Sequence, residues 1–261
     1  MDIRFGAETE INDQCNPGKD DYSSMTDIAQ INDKDSQDAH MIMRFSLLEN
    51  AIGELFSAFS NLDGFLDCLC EEIRDAKDGT FPGELYLKSA KDSFLKDSIS
   101  HLFSGCELMF KSALYYTTNE KNSIIVKKQK NKITDEQFEK GEFKSILFHV
   151  AAEEIDSLFK VNYYKEGNPK SVNLFLLKNI RNSIEHSSVK MHINTAITLW
   201  FSAWQELSAF CDFLMLPVLK RQNQIENYHE LCKEYLRLID FYKRLDKEAK
   251  VQDTFDFQIE I

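Results

Sequence analysis

Apolar residues recur along this chain at spacings of three and four, the signature of amphipathic helices. The longest run covers residues 44–76, where Phe45, Leu48, Ile52, Leu55, Phe59, Leu62, Leu66, Leu69 and Ile73 form one stripe. Gly79 and Phe81-Pro82-Gly83 are expected to end that helix. A second helix is expected over 99–117, carried by Ile99, Leu102, Phe103, Cys106, Met109, Phe110 and Ala113. The third covers 144–160, with Leu147, Val150, Ala151, Ile155 and Leu158 inward. Gly167-Asn168-Pro169 breaks the chain, and Ser171 is the expected N-cap of a fourth helix, 172–189. A fifth, 191–216, presents Ile193, Ile197, Trp200, Trp204, Leu207, Cys211 and Leu214, and Pro217 marks a kink or a stop. A sixth, 222–250, carries Ile225, Tyr228, Cys232, Tyr235, Ile239, Tyr242 and Ala249, a Tyr-rich stripe suited to a partly wet surface. Helices joined by short breaks predict an all-α bundle without internal repeats. It divides into an acidic, loosely ordered arm (1–40) with a turn at Asn16-Pro17-Gly18, a bundle (41–220), and a C-terminal helix and tail (221–261). Alternation at Ile3 and Phe5, and at Phe255, Phe257, Ile259 and Ile261, suggests short terminal β-strands that pair.

Composition narrows the picture. Gly and Pro number 9 and 4 in 261 residues, too sparse for a many-turned all-β design. No apolar run reaches membrane-spanning length, and MDIRFGAETEINDQ lacks the apolar core of a secretory signal, so a cytoplasmic protein is expected. Of the six cysteines, Cys68, Cys106, Cys211 and Cys232 fall in apolar helical patterns and are expected to be buried thiols in a reducing compartment. Cys15 and Cys70 complete the set. Cys68 and Cys70 face different sides of a helix, which disfavours zinc. A net charge of -12 argues against broad duplex binding but leaves room for a local basic site. KNSIIVKKQKNK at 121–132 is the one stretch with five Lys and no acid. It is either an exposed loop or a basic lip beside an anionic substrate.

Candidate chemistry concentrates in Lys178-Asn179-Ile180-Arg181-Asn182-Ser183-Ile184-Glu185-His186. Leu176, Leu177, Ile180 and Ile184 are expected to face the core. Phe175, Asn179, Asn182 and His186 share a second, polar face. Arg181 and His186 lie about 140° apart around the helix. Arg offers a forked, permanent positive charge to phosphate oxygens, His titrates near neutrality, and Asn can orient a neighbour. One Arg and one His are an incomplete acid–base site, which two copies across a dimer axis would complete. A surface Arg and a capping His account for the same residues without chemistry.

Other constellations are sparser. Glu226-Asn227-Tyr228-His229 has the Glu-x-x-His spacing of di-iron bundles but no second pair. His149 and Glu153 are expected to share a local hydrogen bond, His101 to open the second helix at the surface, and Cys106 in Ser104-Gly105-Cys106 to be a core residue rather than a nucleophile. No phosphate loop, dinucleotide fingerprint or nucleophile elbow occurs.

The run LLKNIRNSIEHS resembles the signature helix of the HEPN superfamily, whose motif is Arg, four to six residues, then His, often with a polar residue directly after the Arg. Arg181, Asn182 and His186 match it. HLFSGCELMFKSALYY, with an apolar run followed by Lys111, and FEKGEFKSILFHVAAEEI are similar to other HEPN segments, so the resemblance covers roughly 99–216. It implies a helical domain, usually dimeric, with the motif helices meeting in a shared cleft, and a metal-independent endoribonuclease of bacterial defence or toxin–antitoxin systems. It implies RNA as substrate, an antitoxin or regulatory protein as a further partner, and no cofactor, metal or membrane. Arg181 would stabilise the scissile phosphate and His186 would act as general acid or base. Asn182 would position the Arg or the phosphate, and Lys178, Asn179 and Lys190 would contact substrate. Ser188 stands where an antitoxin-modified subgroup carries Tyr, so that control is not implied. Family members without ribonuclease activity exist, and a HEPN-like dimeric interaction or sensor module is the alternative. A helical scaffold unrelated to HEPN is the third reading.

Overall fold

The computed structural model describes residues 34–75, 90–186 and 192–252; at 34–46, 75, 90–92, 139, 185–186 and 246–252 it describes the backbone alone. By its contacts the chain divides into Met1–Asp38 and Ala39–Ile261. The described residues form an all-α bundle. No helix among them is long and apolar enough to cross a membrane. The alternating terminal segments, the turn at 16–18 and the expected stop at 79–83 lie outside the described residues.

Helix α1 runs Lys34–Asp75, beginning ten residues before the start given by its apolar stripe. Helix α2 runs Ala90–Thr118, also longer than expected. Within the added turns of α2, Leu95 and Ser98 are buried. Within α1 the stripe from Leu48 to Ile73 is buried as expected, and Ala51, Ala58, Phe65 and Cys70 widen it. Cys70, not Cys68, is the buried thiol of that pair.

Small residues let α1 and α2 approach closely. A Cβ built on Gly105 would stand 2.6 Å from Leu55 Cδ2 and 3.3 Å from the Ala51 carbonyl oxygen. Ser98 Oγ donates to the Ala58 carbonyl at 2.6 Å. His101 lies well inside α2 rather than opening it, and its Nδ1 meets Glu54 Oε2 at 2.7 Å. Gly53, also in α1, has nothing within 4 Å of its Cβ position. Alanine in place of a helical glycine gains about 1 kcal/mol, whereas overpacking costs about 1–3 kcal/mol. Gly53→Ala is therefore expected to be the more stable of the two variants, exceeding Gly105→Ala by about 1–3 kcal/mol in urea unfolding.

A structured connector follows α2: a 3-10 turn at Lys121–Ser123, an isolated antiparallel bridge between Ile125 and Ser145, and helix α3, Asp135–Glu139, opened by a Thr134/Gln137 capping box. The basic stretch is thus partly built in. Ile124 and Ile125 are buried, Lys121 is paired with Asp135, and Lys127, Lys128 and Lys132 are exposed.

Helix α4 spans Phe148–Phe159. Leu147, expected inward, is 59% exposed, because it precedes the helix on extended backbone (φ -77°, ψ 157°) and leaves the helical face. Leu158 is exposed as well. Helix α5 spans Val172–His186 and α6 spans Ile193–Phe210. The helical path does not stop at Pro217. It widens into a π turn over Cys211–Met215 and resumes as α7, Leu216–Arg221, with the proline in its first turn, where a missing N–H costs nothing. Helix α8 spans Ile225–Gln252. Its buried seam is Leu231, Leu238 and Leu245 with Tyr228, while Tyr235, Ile239 and Tyr242 are half-buried beside it.

Two aromatic clusters fix the interior. Phe59 of α1 meets Trp200 and Trp204 of α6 edge-on at 4.9 and 4.7 Å. Phe110 of α2 stacks on Phe210 of α6 at 4.1 Å and also meets Phe148 of α4 and Tyr164 of the following loop. Phe148 in turn meets Phe103 and Phe175. These rings form the floor on which α5 lies.

Candidate active site

The start of α5 is tied down from a distance. Ser171 precedes the first turn, but its hydroxyl faces the Lys165 carbonyl at 3.4 Å instead of capping. Glu206 of α6 takes the role. Its Oε1 accepts from the Asn173 backbone N–H at 3.1 Å and side-chain Nδ2 at 2.8 Å, and its Oε2 from the Leu174 N–H at 2.9 Å. A carboxylate there also suits the helix dipole. Desolvation nonetheless outweighs these bonds and holds the Glu206 carboxyl above its ordinary value. A raised folded-state pKa of an acid favours folding below the unfolded value, about 4.3, and that contribution is lost as pH rises through the folded value. The stability of the native chain relative to Glu206→Gln is therefore expected to be greatest near pH 4, falling toward neutrality in urea titrations.

Packing between α2 and α6 decides which face of α5 is inside. Leu174, Phe175 and Leu177 are buried, and Ile180 and Ile184 are half-buried. Leu176, expected in the core stripe, is 46% exposed, and Phe175, expected on the polar face, lies in the core. A helix wedged between two neighbours buries a wide arc, so periodicity alone mis-set its rotation by about one residue.

Arg181 and Asn182 are brought together. Arg181 Nη1 donates to Asn182 Oδ1 at 3.3 Å, and its guanidinium carbon lies 5.9 Å from the Phe103 ring centroid. Both side chains are half-buried. Lys178 lies against the Phe175 ring at 5.6 Å. Asn179 is exposed, and its carbonyl accepts from Ser183 Oγ at 2.9 Å. His186 is the last residue of α5, described there by its backbone alone, and Lys190 lies outside the described residues.

Two polar features on neighbouring elements were not read as one unit from the sequence. Phe103, Glu107 and Lys111 follow at steps of four along α2. The buried Lys111 ammonium donates to Glu107 Oε1 at 2.6 Å and to Ser145 Oγ at 2.8 Å. The Glu–Lys spacing was the available signal; the Ser145 bond needed the fold. The expected His149–Glu153 bond does not form. Glu153 is exposed, and His149 Nδ1 is buried without a hydrogen-bond partner among the described residues.

Cys106 and Cys211 are not poised for attack. Burial pushes Cys106 and Cys211 well above the ordinary thiol value. Glu226 and His229 are both exposed, and among the described residues no group of three potential metal ligands converges. No family model matches this chain, and no match was found among curated proteins or solved structures.

Proposed function

We propose that this chain is a metal-independent endoribonuclease of the HEPN type, acting as a dimer in which the α5 helices of two copies share one cleft, and serving as a defence or toxin effector under an antitoxin or other regulatory partner. The observation that carries the reading is the Arg181–Asn182 pair, half-buried against Phe103 on the helix that ends at His186. A guanidinium held by an amide and an aromatic ring loses less freedom on meeting a phosphate than one on an open surface.

In the proposed reaction the ribose 2′-oxygen attacks the adjacent phosphorus and the bond to the 5′-oxygen breaks. His186 of one copy takes the 2′-hydroxyl proton, and its dimer equivalent protonates the departing 5′-oxygen. Arg181 neutralises charge gathering on the phosphoryl oxygens, and Asn182 orients it. Lys178, Asn179 and Lys190 contact the flanking strand. The nucleophile belongs to the RNA, so the scheme runs without a metal. The test is incubation of the purified full chain with total RNA in EDTA. Fragments ending in 2′,3′-cyclic phosphate and 5′-hydroxyl are expected. Intact RNA with and without added divalent ions would overturn the proposal.

A further inference from the structure

A cleft of about 630 Å³ opens at the start of α5, lined in part by Tyr163, Lys170, Asn173, Gln205, Glu206 and Phe213. That volume lies in the range of small-molecule sites. Two carboxylates preset its walls. Asp156 of α4 is buried and accepts the backbone N–H groups of Tyr163, Tyr164 and Lys165 at 2.9–3.1 Å, while Glu206 holds the first turn of α5 as described above. The rim's backbone donors are thereby occupied internally, and side chains are left to meet a ligand.

Those side chains have a definite chemistry. Phe213 is 48% exposed, with its ring centroid 6.1 Å from that of Tyr163. The Lys170 ammonium sits 3.5 Å over the Tyr163 ring. The Asn173 amide donates to Glu206 and the Gln205 amide to Tyr235 Oη at 2.7 Å. Each spends one N–H on the protein, while its side-chain carbonyl oxygen accepts no hydrogen bond among the described residues and is left as an acceptor. The cleft thus combines an exposed aromatic face, a wall rich in acceptors that includes the Glu206 carboxylate and the Ser202 hydroxyl, and one ammonium. Its complement is a planar heterocycle with a donor-rich edge and an anionic substituent. Guanine meets this best among nucleobases, because its ring N–H and amino group lie side by side on one edge. Uracil presents a single N–H, and adenine pairs its amino group with ring acceptors.

We propose that this cleft binds a guanine nucleotide, its base stacked on Phe213, its donor edge on the Asn173 and Gln205 carbonyls, and its phosphate on Lys170. The nucleotide is either a free mononucleotide or an unpaired residue of an RNA strand. The site involves neither Arg181 nor His186, so it stands or falls apart from the ribonuclease reading.

The experiment is isothermal titration of the full chain in EDTA with GMP, AMP and UMP, and with short 2′-O-methylated oligoribonucleotides of guanosine or uridine, which cannot be cleaved. GMP is expected to bind about tenfold or more tightly than AMP or UMP. Phe213→Ala and Lys170→Ala are each expected to weaken it about tenfold, in line with the loss of one stacking partner or one phosphate contact, with unaltered circular-dichroism melts. Binding of the guanosine oligomer alone, with the same losses in both variants, supports the cleft and assigns its ligand to an RNA strand. Equal binding of all bases, binding untouched by both substitutions, or no binding of either guanine ligand overturns the proposal.

Discussion

Arg181→Ala and His186→Ala are each expected to lower RNA cleavage by about 100-fold or more, the usual loss when a general acid–base or a charge-stabilising donor is removed. The two substitutions should differ in their side effects. Arg181 is half-buried, bonded to Asn182 and set against Phe103, so its truncation also removes packing and a cation–π contact of about 1 kcal/mol. A small drop in melting temperature is therefore expected for Arg181→Ala. Arg181→Lys separates the effects: it keeps the charge and most of the stem but loses the planar fork. Its melting temperature should return toward that of the native chain while cleavage stays low. Gel assays in EDTA, paired with thermal melts, read both quantities. Unchanged cleavage in both alanine variants would remove Arg181 and His186 from the chemistry. Cleavage lost only in proportion to stability would make Arg181 a structural residue.

The largest expected loss of stability is at Phe110, about 3–5 kcal/mol on truncation to alanine. Its ring is fully buried and touches three elements besides its own: Phe210 of α6 in a parallel stack, Phe148 of α4, and Tyr164 of the α4–α5 loop. Apolar transfer, the unfilled cavity and the lost ring contacts all act in one direction. Phe148 and Phe210 are fixed in their own helices, so relaxation should recover little of the space. At about 2–4 °C per kcal/mol for a chain of this size, the melting temperature should fall by roughly 6–20 °C. Phe110→Leu should cost well under half as much. A loss below about 1 kcal/mol for Phe110→Ala would contradict the packing described here. Tyr164 is one of the partners, so the variant also tests whether the loop walling the α5 cleft depends on this stack.

How much was legible in advance differs from element to element. In α1 the stripe from Leu48 to Ile73 follows from spacing alone, because one broad face is buried over that stretch. In α5 the same spacing misses the rotation by about one position, placing Leu176 inside and Phe175 outside where the structure does the reverse, because neighbours on two sides share the helix surface. The Arg181–Asn182 pairing follows from adjacency on that helix, but the aromatic support from Phe103 lies 78 residues earlier in the chain. The N-cap was sought in Ser171, where local chemistry places it, and was found in Glu206, more than thirty residues later.

From the sequence alone came the all-α class, the order of the helices and the candidate polar segment, since helix formation follows a spacing of three and four that any local window contains. The tertiary structure decided what locality cannot: the close approach at Gly105, the π turn that carries the chain past Pro217, the rotation of α5, and the carboxylates of Asp156 and Glu206 that hold the loop and helix start around a cleft. Each depends on groups remote in sequence competing for the same buried space or the same backbone donors, and that competition is settled only when the chain is packed.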